Sequence, residues 1–535
     1  MTSERKIYAS SFDYFAKSNG AYDYYDYKEH QTYIDAIANI NKHFGQISLA
    51  ANVGYSYSDY ASLTRGYGGN LILVPNKFSL NNIAPTDGKI REDGGASKVR
   101  NVAAFASAEI GYKSMLYLTL TGRNDWNSRL VNSSEESFFY PSIGMSAIVS
   151  EMTKLPSFIS YLKVRGSYTE VGSPVSRSGM TPGTITTPIV GGSLKSTDIY
   201  PFTDYKAERT KSYEFGLTAR FWKKLSFDFT WYKSNTFNQT FIGELPESSG
   251  YKAVYLQAGN VENRGIEMSL GYTENFGGVQ WNSSLVYSKN VNEIKEMVKD
   301  YHHPLSPKPI NIPEVSKDNG RVLLKVGGTI NDIYARKVLA KDNQGFVNVS
   351  PSGGMSLETV EPIYLGKTTP DFTMGWNNTF TYKNFGLSFL VNARFGGVVT
   401  SSTQALLDRF GVSKASADAR DAGGVMLPNQ GLYDAKKYYT LVATGENDLA
   451  GYYTYSATNI RIQEFTLSYK FNSRWFNNIV KDLTLSFVAT NPWMIYCKAP
   501  FDPELTASTG TYGQGNDYFM QPSLRSYGFN IKFKF

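Results

Sequence analysis

The end of the chain alternates strictly between apolar and polar side chains. The apolar positions are Tyr527, Phe529, Ile531, Phe533 and Phe535, and the polar ones are Gly528, Asn530, Lys532 and Lys534. Because successive side chains of a β-strand point to opposite sides, this strand has one apolar and one polar face. A strand of a soluble sandwich shows the same pattern. A chain that stops on its final aromatic, with no polar tail, is instead typical of an outer-membrane barrel, in which one face meets lipid and the other meets water.

The same alternation recurs in about fifteen segments. They comprise residues 33–43, 46–57, 99–112, 115–124, 138–149, 159–169, 211–222, 225–236, 261–272, 279–291, 372–383, 385–395, 459–471, 483–490 and 524–535. Short turns, such as Phe44-Gly45, alternate with long polar connections. This rhythm predicts an all-β fold, an antiparallel transmembrane β-barrel with short periplasmic turns and long extracellular loops.

The segments between these strands lack clean alternation. Residues 1–30 are expected to form a loop or a partial strand, and residues 59–98 a long polar loop. Further loops are expected near 172–206 and 241–257, and the longest irregular stretch over 293–370. Helical spacing of apolar residues over 403–423 predicts a helix inside another long loop.

Composition excludes several classes of protein. No window approaches the roughly 18–20 uninterrupted apolar residues of a membrane helix, which excludes a helical membrane protein. A transmembrane barrel stays compatible with the composition, because alternating strands carry little average hydropathy. The net charge of +7 is spread along the chain without a Lys/Arg run, so no nucleic-acid partner is expected.

Catalytic and metal-binding patterns are also missing. Cys497 is the only cysteine, and the four histidines are scattered or, at His302 and His303, adjacent in a long loop. Neither a Gly-x-Ser-x-Gly nor a P-loop motif is present. Acid pairs such as Glu135 and Glu136 are expected to be solvated loop residues. We therefore predict neither enzymatic activity nor a cofactor or metal site.

The start of the chain and the strand count lead to one further expectation. No apolar core follows Met1, so a signal peptide is not recognised. If the last strand runs toward the periplasm, the strand over 33–43 also does, whereas bacterial barrels have an even strand number and start from the periplasm. We therefore expect residues 1–535 to be a C-terminal part of a larger barrel, without a plug domain.

Nine short segments, in order, form a pattern specific enough to indicate a family. They are Arg123-Asn124-Asp125-Trp126-Asn127-Ser128, Phe139-Tyr140-Pro141-Ser142, residues 161–168, 211–216, 260–267, 370–375 and 461–469, Asp502-Pro503-Glu504, and residues 525–528. Together they resemble the barrel of the SusC/RagA branch of TonB-dependent outer-membrane transporters. The sequence departs from that pattern at Ala207, where proline is usual, and at Glu262, where glycine is usual.

This resemblance carries expectations about fold and function. It implies about fifteen of the roughly 22 strands of a complete barrel. It implies import of oligosaccharides or peptides across the outer membrane, together with a SusD-like surface lipoprotein, in a possible dimer of SusC–SusD pairs. Energy would come from TonB–ExbB–ExbD through the plug region. Two alternatives stay open: a passive pore or adhesin barrel, and a soluble secreted carbohydrate-binding β protein.

Candidate substrate-binding residues lie on the polar faces and at strand ends. They are Arg123, Asp125, Trp126, Arg165, Arg220, Arg394 and Arg461. The four last arginines are expected in the lumen, where they would serve solute passage or plug packing. Arg123 and Asp125 would contact substrate or form a lumen ion pair beside an interfacial Trp126. The tyrosines over 22–27 would stack on sugar rings or pack among themselves.

Overall fold

The protein is described by a computed structural model. The described residues are 2–9, 19–83, 97–131, 133, 135–174, 189–190, 193–194, 199–200, 206–246, 249, 251, 253–317, 321–445, 449, 451–472, 480, 482–505, 507–508, 510 and 512–534. Phe535 and most of the predicted loop over 172–206 lie outside them. The chain divides into two compact units. Residues 1–112, 118–143 and 170–209 form the first, and residues 113–117, 144–169 and 210–535 form the second.

Long antiparallel strands dominate the described part of the chain. They are β1 (Ala21–Phe44), β2 (Ile47–Asn70), β3 (Ser97–Tyr112), β4 (Leu116–Asn127), β5 (Ser137–Ile148), β6 (Ile159–Ser173), β7 (Glu208–Phe221), β8 (Leu225–Glu244), β9 (Ala253–Phe276), β10 (Val279–Glu296), β11 (Phe372–Tyr382), β12 (Phe385–Phe395), β13 (Asn459–Phe471), β14 (Asp482–Cys497) and β15 (Ser526–Lys534). Each of the predicted segments overlaps one of them, which confirms the all-β prediction.

Strands of the first unit pair along their whole length. The strand Thr2–Ile7 pairs with β1, β1 with β2, and β2 with β3, all antiparallel. β1 and β2 are each 24 residues long, and their ladder runs without a register shift from Phe44 and Ile47 to Ala21 and Asn70. The prediction of a loop or a partial strand over 1–30 is confirmed in its second form, whereas the prediction of a loop over 59–98 was wrong over 59–70.

The missed part of this hairpin lacks alternation because both of its faces are polar. Cross-strand tyrosines pack there instead of lipid-facing residues. Tyr24 stacks on Tyr67 with 5.4 Å between ring centroids, and Tyr22 meets the same ring edge-on at 5.7 Å. The tyrosines at 22 and 24 therefore pack against another tyrosine of the chain.

In the second unit, the strands β8 to β15 pair with their neighbours in chain order, and the pairing aligns their apolar residues in rows. One row consists of Ile531, Leu485, Tyr469, Phe385, Tyr382 and Val279, and the next of Phe529, Phe487, Leu467, Leu387, Phe380 and Trp281. We call this side of β8–β15 the apolar face. Many of its side chains are exposed, with Phe529 at 74 % and Phe385 at 56 %, and so large an apolar surface requires a non-aqueous cover.

The opposite side of the same strands, which we call the polar face, carries hydrophilic rows. One of them consists of Asn530, Ser486, Ser468, Gly386, Thr381 and Gln280. The two faces follow directly from the period-two alternation in the sequence, since a slip of one residue would exchange them.

Regular structure also fills the connections. Glu314–Lys317, Val322–Lys325, Asp332–Leu339 and Leu357–Lys367 form a four-stranded sheet, so the prediction of an irregular stretch over 293–370 was wrong there. Three of its strands are only four to eight residues long, which leaves no long alternating pattern to detect. The remaining short strands are Ile189–Val190, Ser193–Leu194, Ile199–Tyr200, Val298–Tyr301, Ile310–Ile312, Val398–Ser401, Val425–Leu427, Gly431–Tyr433, Thr454–Ser456 and Asn516–Asp517.

Helices are short and lie in the connections. They are α1 (Val149–Met152), α2 (Ser402–Arg409), α3 (Lys414–Asp421) and α4 (Ala435–Gly445), with 3-10 turns at Leu80–Asn82 and Ser128–Leu130. The prediction of helix over 403–423 is confirmed by α2 and α3. In the described ranges, none of the helices has the length and apolarity needed to cross a membrane.

Candidate functional site

Arg165 on β6 anchors a hydrogen-bonded network on the polar face. Its Nη1 and Nη2 lie 3.3 and 3.1 Å from the two carboxylate oxygens of Asp228 on β8. Nη2 also donates to the Thr230 hydroxyl at 2.6 Å, and Nη1 to the Thr218 hydroxyl at 3.1 Å. Thr218 in turn donates to Asp228 at 2.6 Å. The charge of Arg165 is therefore matched by Asp228, and both side chains are held in fixed positions.

Gly216 on β7 makes room for this arginine. A Cβ atom at Gly216 would lie 2.4 Å from Nε and Cζ of Arg165. The glycine of the Glu-Phe-Gly segment and the arginine of the 161–168 segment are thus in direct contact. These two sequence motifs are linked by a steric requirement of the polar face.

We expect Gly216→Ala to destabilise the protein by about 1–3 kcal/mol, because the new methyl group must displace the Arg165 guanidinium from Asp228. Urea unfolding in detergent micelles, followed by tryptophan fluorescence, measures the change. Gly528→Ala is the matched control, since nothing lies within 4 Å of a Cβ there, and it is expected to stay within about 0.5 kcal/mol of the wild type. Equal stabilities of the two variants would contradict the steric interpretation.

A polar row runs across the second unit from the Arg165 network. Thr230 pairs with Glu267, Glu267 with Ser288, Ser288 with Thr373, and Thr373 with Arg394. Because neighbouring strands lie about 4.8 Å apart, this row spans about 19 Å. Arg394 at its end donates from Nη2 to the carbonyl oxygen of Thr368 at 2.5 Å.

The polar row borders a cleft of about 340 Å³. Its lining includes Asp228, Thr230, Glu267, Ser288, Thr373 and Asn392. Carboxylates, hydroxyls and an amide are suited to hydrogen-bonding a hydroxylated or amide-rich solute. The sequence analysis named Arg165 and Arg394 but missed Glu267, Ser288, Thr373 and Asn392. All four occupy polar positions of the alternating segments, so the sequence marks them as polar-face residues. That they lie next to one another is shown only by the strand register.

Arg123 and Asp125 lie at the end of β4 in the first unit. The Nε and Nη2 atoms of Arg123 lie 3.0 and 2.9 Å from Asp125 Oδ2 and Oδ1, and Asn101 donates to Asp125 at 3.1 Å. The Tyr140 hydroxyl donates to the same carboxylate. The motif over 123–128 and the Phe-Tyr-Pro-Ser motif therefore meet at Asp125, which is only 4 % exposed.

Trp126 points away from this network, as its alternate position on β4 requires. It is 45 % exposed and lines a cleft of about 650 Å³ with Lys98 and Arg100. Its position on the side of the strand that carries Leu116, Leu118 and Leu120 separates it from Arg123 and Asp125. Of the three candidates at this strand end, Arg123 and Asp125 pair with each other, and Trp126 lies apart from them.

Arg461 on β13 forms a buried ion pair with the connection between β14 and β15. Its Nη1 and Nη2 lie 3.0 and 2.8 Å from the two oxygens of Asp502, and Nη2 lies 3.2 Å from Glu504. The side chains of Arg461 and Asp502 are 7 % and 8 % exposed. Burial alone would raise the pKa of Asp502, but hydrogen bonds from Arg461, from Ser523 and from the Glu504 amide lower it below its usual range. Arg461 is thus held by the Asp-Pro-Glu motif.

Arg220 on β7 has a different kind of partner. Its guanidinium lies over the ring of Tyr161, 5.5 Å from the centroid. The four candidate arginines of the second unit therefore have separate partners, and of these four only Arg165 and Arg394 are associated with the polar row. Among the described residues, no cluster of three His, Cys, Asp or Glu residues suited to a metal ion occurs.

A sheet of long antiparallel strands with one apolar and one polar face is the architecture of a membrane β-barrel protein. The family model "TonB dependent receptor-like, beta-barrel" matches residues 3–491. The chain belongs to this family, and the predicted resemblance is confirmed.

Relatives at the sequence level are receptors of the same kind. TonB-dependent receptor P3 of Formosa agariphila is 23 % identical over 528 residues, with 92 % of this chain and 51 % of the relative covered. TonB-dependent receptor SusC of Bacteroides thetaiotaomicron is 24 % identical over 471 residues, with 79 % of this chain and 43 % of SusC covered. The chain spans about half the length of the curated relatives it matches.

Solved structures show the same fold. The RagAB peptide importer in the 'open-open' state is similar with a TM-score of 0.72 at 15 % identity, over 100 % of this chain and 57 % of that chain. The 'closed-closed' state of the importer gives a TM-score of 0.71. The barrel prediction for the fold is therefore confirmed.

Proposed function

We propose that this chain is the barrel portion of an outer-membrane importer for oligosaccharides or peptides. The observation that carries the proposal is the family match over 3–491, which covers nearly the whole chain. The cleft along the polar row supports it, because its hydroxyl, amide and carboxylate groups suit a polar, uncharged or cationic solute.

The import cycle would need parts beyond these strands. We propose that residues 1–535 contribute one partial barrel domain and that a plug domain works with it. TonB–ExbB–ExbD would act on the plug to release the solute into the periplasm. The chain itself would supply the wall and the polar surface along which the solute moves.

A second component would capture the cargo at the cell surface. We propose a SusD-like surface lipoprotein, in a possible dimer of SusC–SusD pairs. The similarity to SusC and to RagAB supports this partner and favours oligosaccharides or peptides as cargo. Outer-membrane lipid would cover the apolar face.

Deletion of the gene in the native strain tests the proposal. We expect the deletion strain to lose uptake of fluorescently labelled peptides or oligosaccharides, and TonB depletion to have the same effect. Ser288→Trp, which fills the cleft on β10, should reduce uptake close to the level of the deletion strain.

Ser283→Trp provides the matched control. Ser283 lies on the same strand, but its register with Tyr272 and Asn378 places it on the apolar face, where a tryptophan would meet lipid. Its uptake should therefore be close to that of the wild type. Uptake that persists without TonB would contradict an energised importer and favour the passive pore. Recovery of the chain from the aqueous fraction without detergent would favour the soluble alternative.

A further inference from the structure

The apolar face of β8–β10 ends abruptly at a set of basic side chains. On β8 the apolar positions are Leu225, Phe227, Phe229 and Trp231, and the next position on that face is Lys233. On β9 they are Tyr272, Leu270, Met268 and Ile266, followed by Arg264. On β10, Lys289 follows Tyr287 in the same way.

This change occurs at the depth at which a strand leaves the hydrocarbon. A transmembrane strand needs about 9–11 residues, and Leu225 to Lys233 spans nine. The turn between β9 and β10 at Gly277 and Gly278 lies at the other end of the strands. Short turns face the periplasm in such barrels, so the basic side chains lie at the outer-leaflet boundary.

Two carboxylates form ion pairs with Lys233, Arg264 and Lys295, and Lys289 lies on the same face opposite Ile266. These cations and the two carboxylates together are called the basic cluster. It comprises Lys233, Arg264, Lys289, Lys295, Glu262 and Glu293. Glu262 is 4 % exposed and lies 2.9 Å from Lys233, 3.4 Å from Arg264 and 3.9 Å from Lys295. Glu293 lies 2.8 Å from Lys295 and 3.7 Å from Arg264.

The basic cluster keeps an excess of positive charge at the surface. Its four cations and two carboxylates give a net charge of +2, and Lys289 is an exposed cation outside the ion pairs. Glu262 is buried beneath the cations, whereas the side chains of Arg264 and Lys233 are 50 % and 42 % exposed. Their charged groups are therefore held in place from below and remain accessible from the lipid side.

We propose that the basic cluster binds the phosphate groups of a phosphorylated glycolipid of the outer leaflet. Ammonium and guanidinium groups form charge-assisted hydrogen bonds with phosphate oxygens, and the net charge of +2 complements a bisphosphorylated headgroup. The acyl chains of the same lipid would lie along Trp231, Ile266 and Tyr287 of the apolar face. The cluster is thus a lipid-binding site on the outer wall, separate from the polar row.

This inference rests on the outer-membrane placement in the proposed function, and it is tested on the purified full chain in detergent. Native mass spectrometry measures binding of bisphosphorylated lipid A, of the same lipid after removal of its phosphates, and of inorganic phosphate. We expect the wild type to retain the phosphorylated lipid and not the dephosphorylated one, and inorganic phosphate to leave the bound lipid in place.

Two variants separate the net charge from the individual cations without stranding a buried carboxylate. Lys289→Gln removes one exposed cation, lowers the net charge to +1 and should weaken lipid binding about fivefold. The double variant Arg264→Gln/Glu262→Gln removes a cation together with its buried partner, so the net charge stays at +2 and binding should weaken less than in Lys289→Gln. Lys414→Gln, on the exposed helix α3, is the matched control and should bind as the wild type does.

Several outcomes would overturn the proposal. They are a wild type that retains no phosphorylated lipid, equal binding of the dephosphorylated lipid, displacement by inorganic phosphate alone, or an undiminished affinity of Lys289→Gln. In each case the proposed function would stand if the chain still fractionates with the outer membrane and supports uptake. Loss of membrane localisation, in contrast, would remove both.

Discussion

Replacing Arg461 by alanine is expected to lower the free energy of unfolding by about 3–5 kcal/mol. The substitution leaves Asp502 without its bidentate partner in a site where its side chain is 8 % exposed. An unpaired buried carboxylate costs more than the pair itself contributes, because it has lost its hydration without compensation. Urea unfolding of the variant in detergent micelles measures the effect.

A double-mutant cycle with Asp502→Ala isolates the interaction. The loss of unfolding free energy in the double variant should be smaller than the sum of the losses in the two single variants. In the double variant both partners are absent, so neither charge is left buried without the other. Lys470→Ala on the same strand is the control: Lys470 pairs with Asp482 at an exposed site, and its loss should produce no measurable change. Additive single effects would contradict a coupled pair.

The same pair has a pH dependence of definite sign. The pKa of Asp502 is lower in the folded protein than its ordinary value of 3.8. Its contribution to stability is therefore fully present above that value and is lost as the pH falls through the folded-state pKa. The stability difference between wild type and Arg461→Ala should accordingly shrink in acid and stay constant near neutral pH.

Asp125→Ala is expected to destabilise the protein by about 2–4 kcal/mol. The substitution removes the common acceptor of Arg123, Tyr140 and Asn101, and three donors then lack their partner at a site that is 4 % exposed in the wild type. Tyr140→Phe removes only one of these hydrogen bonds and should cost about 1 kcal/mol.

The order of the two effects is the test of the network. Both variants are compared with Asp418→Ala, which removes a carboxylate from an exposed helical ion pair and should leave stability unchanged. If Tyr140→Phe were as destabilising as Asp125→Ala, the tyrosine and not the carboxylate would be the centre of the network.

The alternation of apolar and polar residues was sufficient to predict the strands of the sheet, because a strand with one apolar and one polar face has a sequence period of two. It located β11 and β12 to within a residue, because Phe372 to Phe395 lie where the faces differ most. It failed over residues 21–30 of β1 and 59–70 of β2, where both faces carry polar and tyrosine side chains and no apolar face alternates with a polar one.

Apart from the ion pair of Arg123 and Asp125, the candidate residues were predicted one by one and not as groups. Polar-face arginines could be identified from their positions in the strands, and the motif residues Asp125 and Asp502 could be singled out. Which of them meet depends on strand register and on how far a connection folds back, and neither is encoded locally. Asp502 lies 41 positions from its partner Arg461.

The unbroken ladder between β1 and β2 has a mechanical consequence. At about 3.3 Å per residue, 24 residues extend for about 80 Å, whereas the hydrocarbon core is only about 30 Å thick. Even with a tilt of about 35–45°, strands of this length rise about 60 Å, so a large part of the hairpin lies outside the hydrocarbon. Because the backbone ladder of that part is already formed, a partner that binds there would lose little free energy to ordering it.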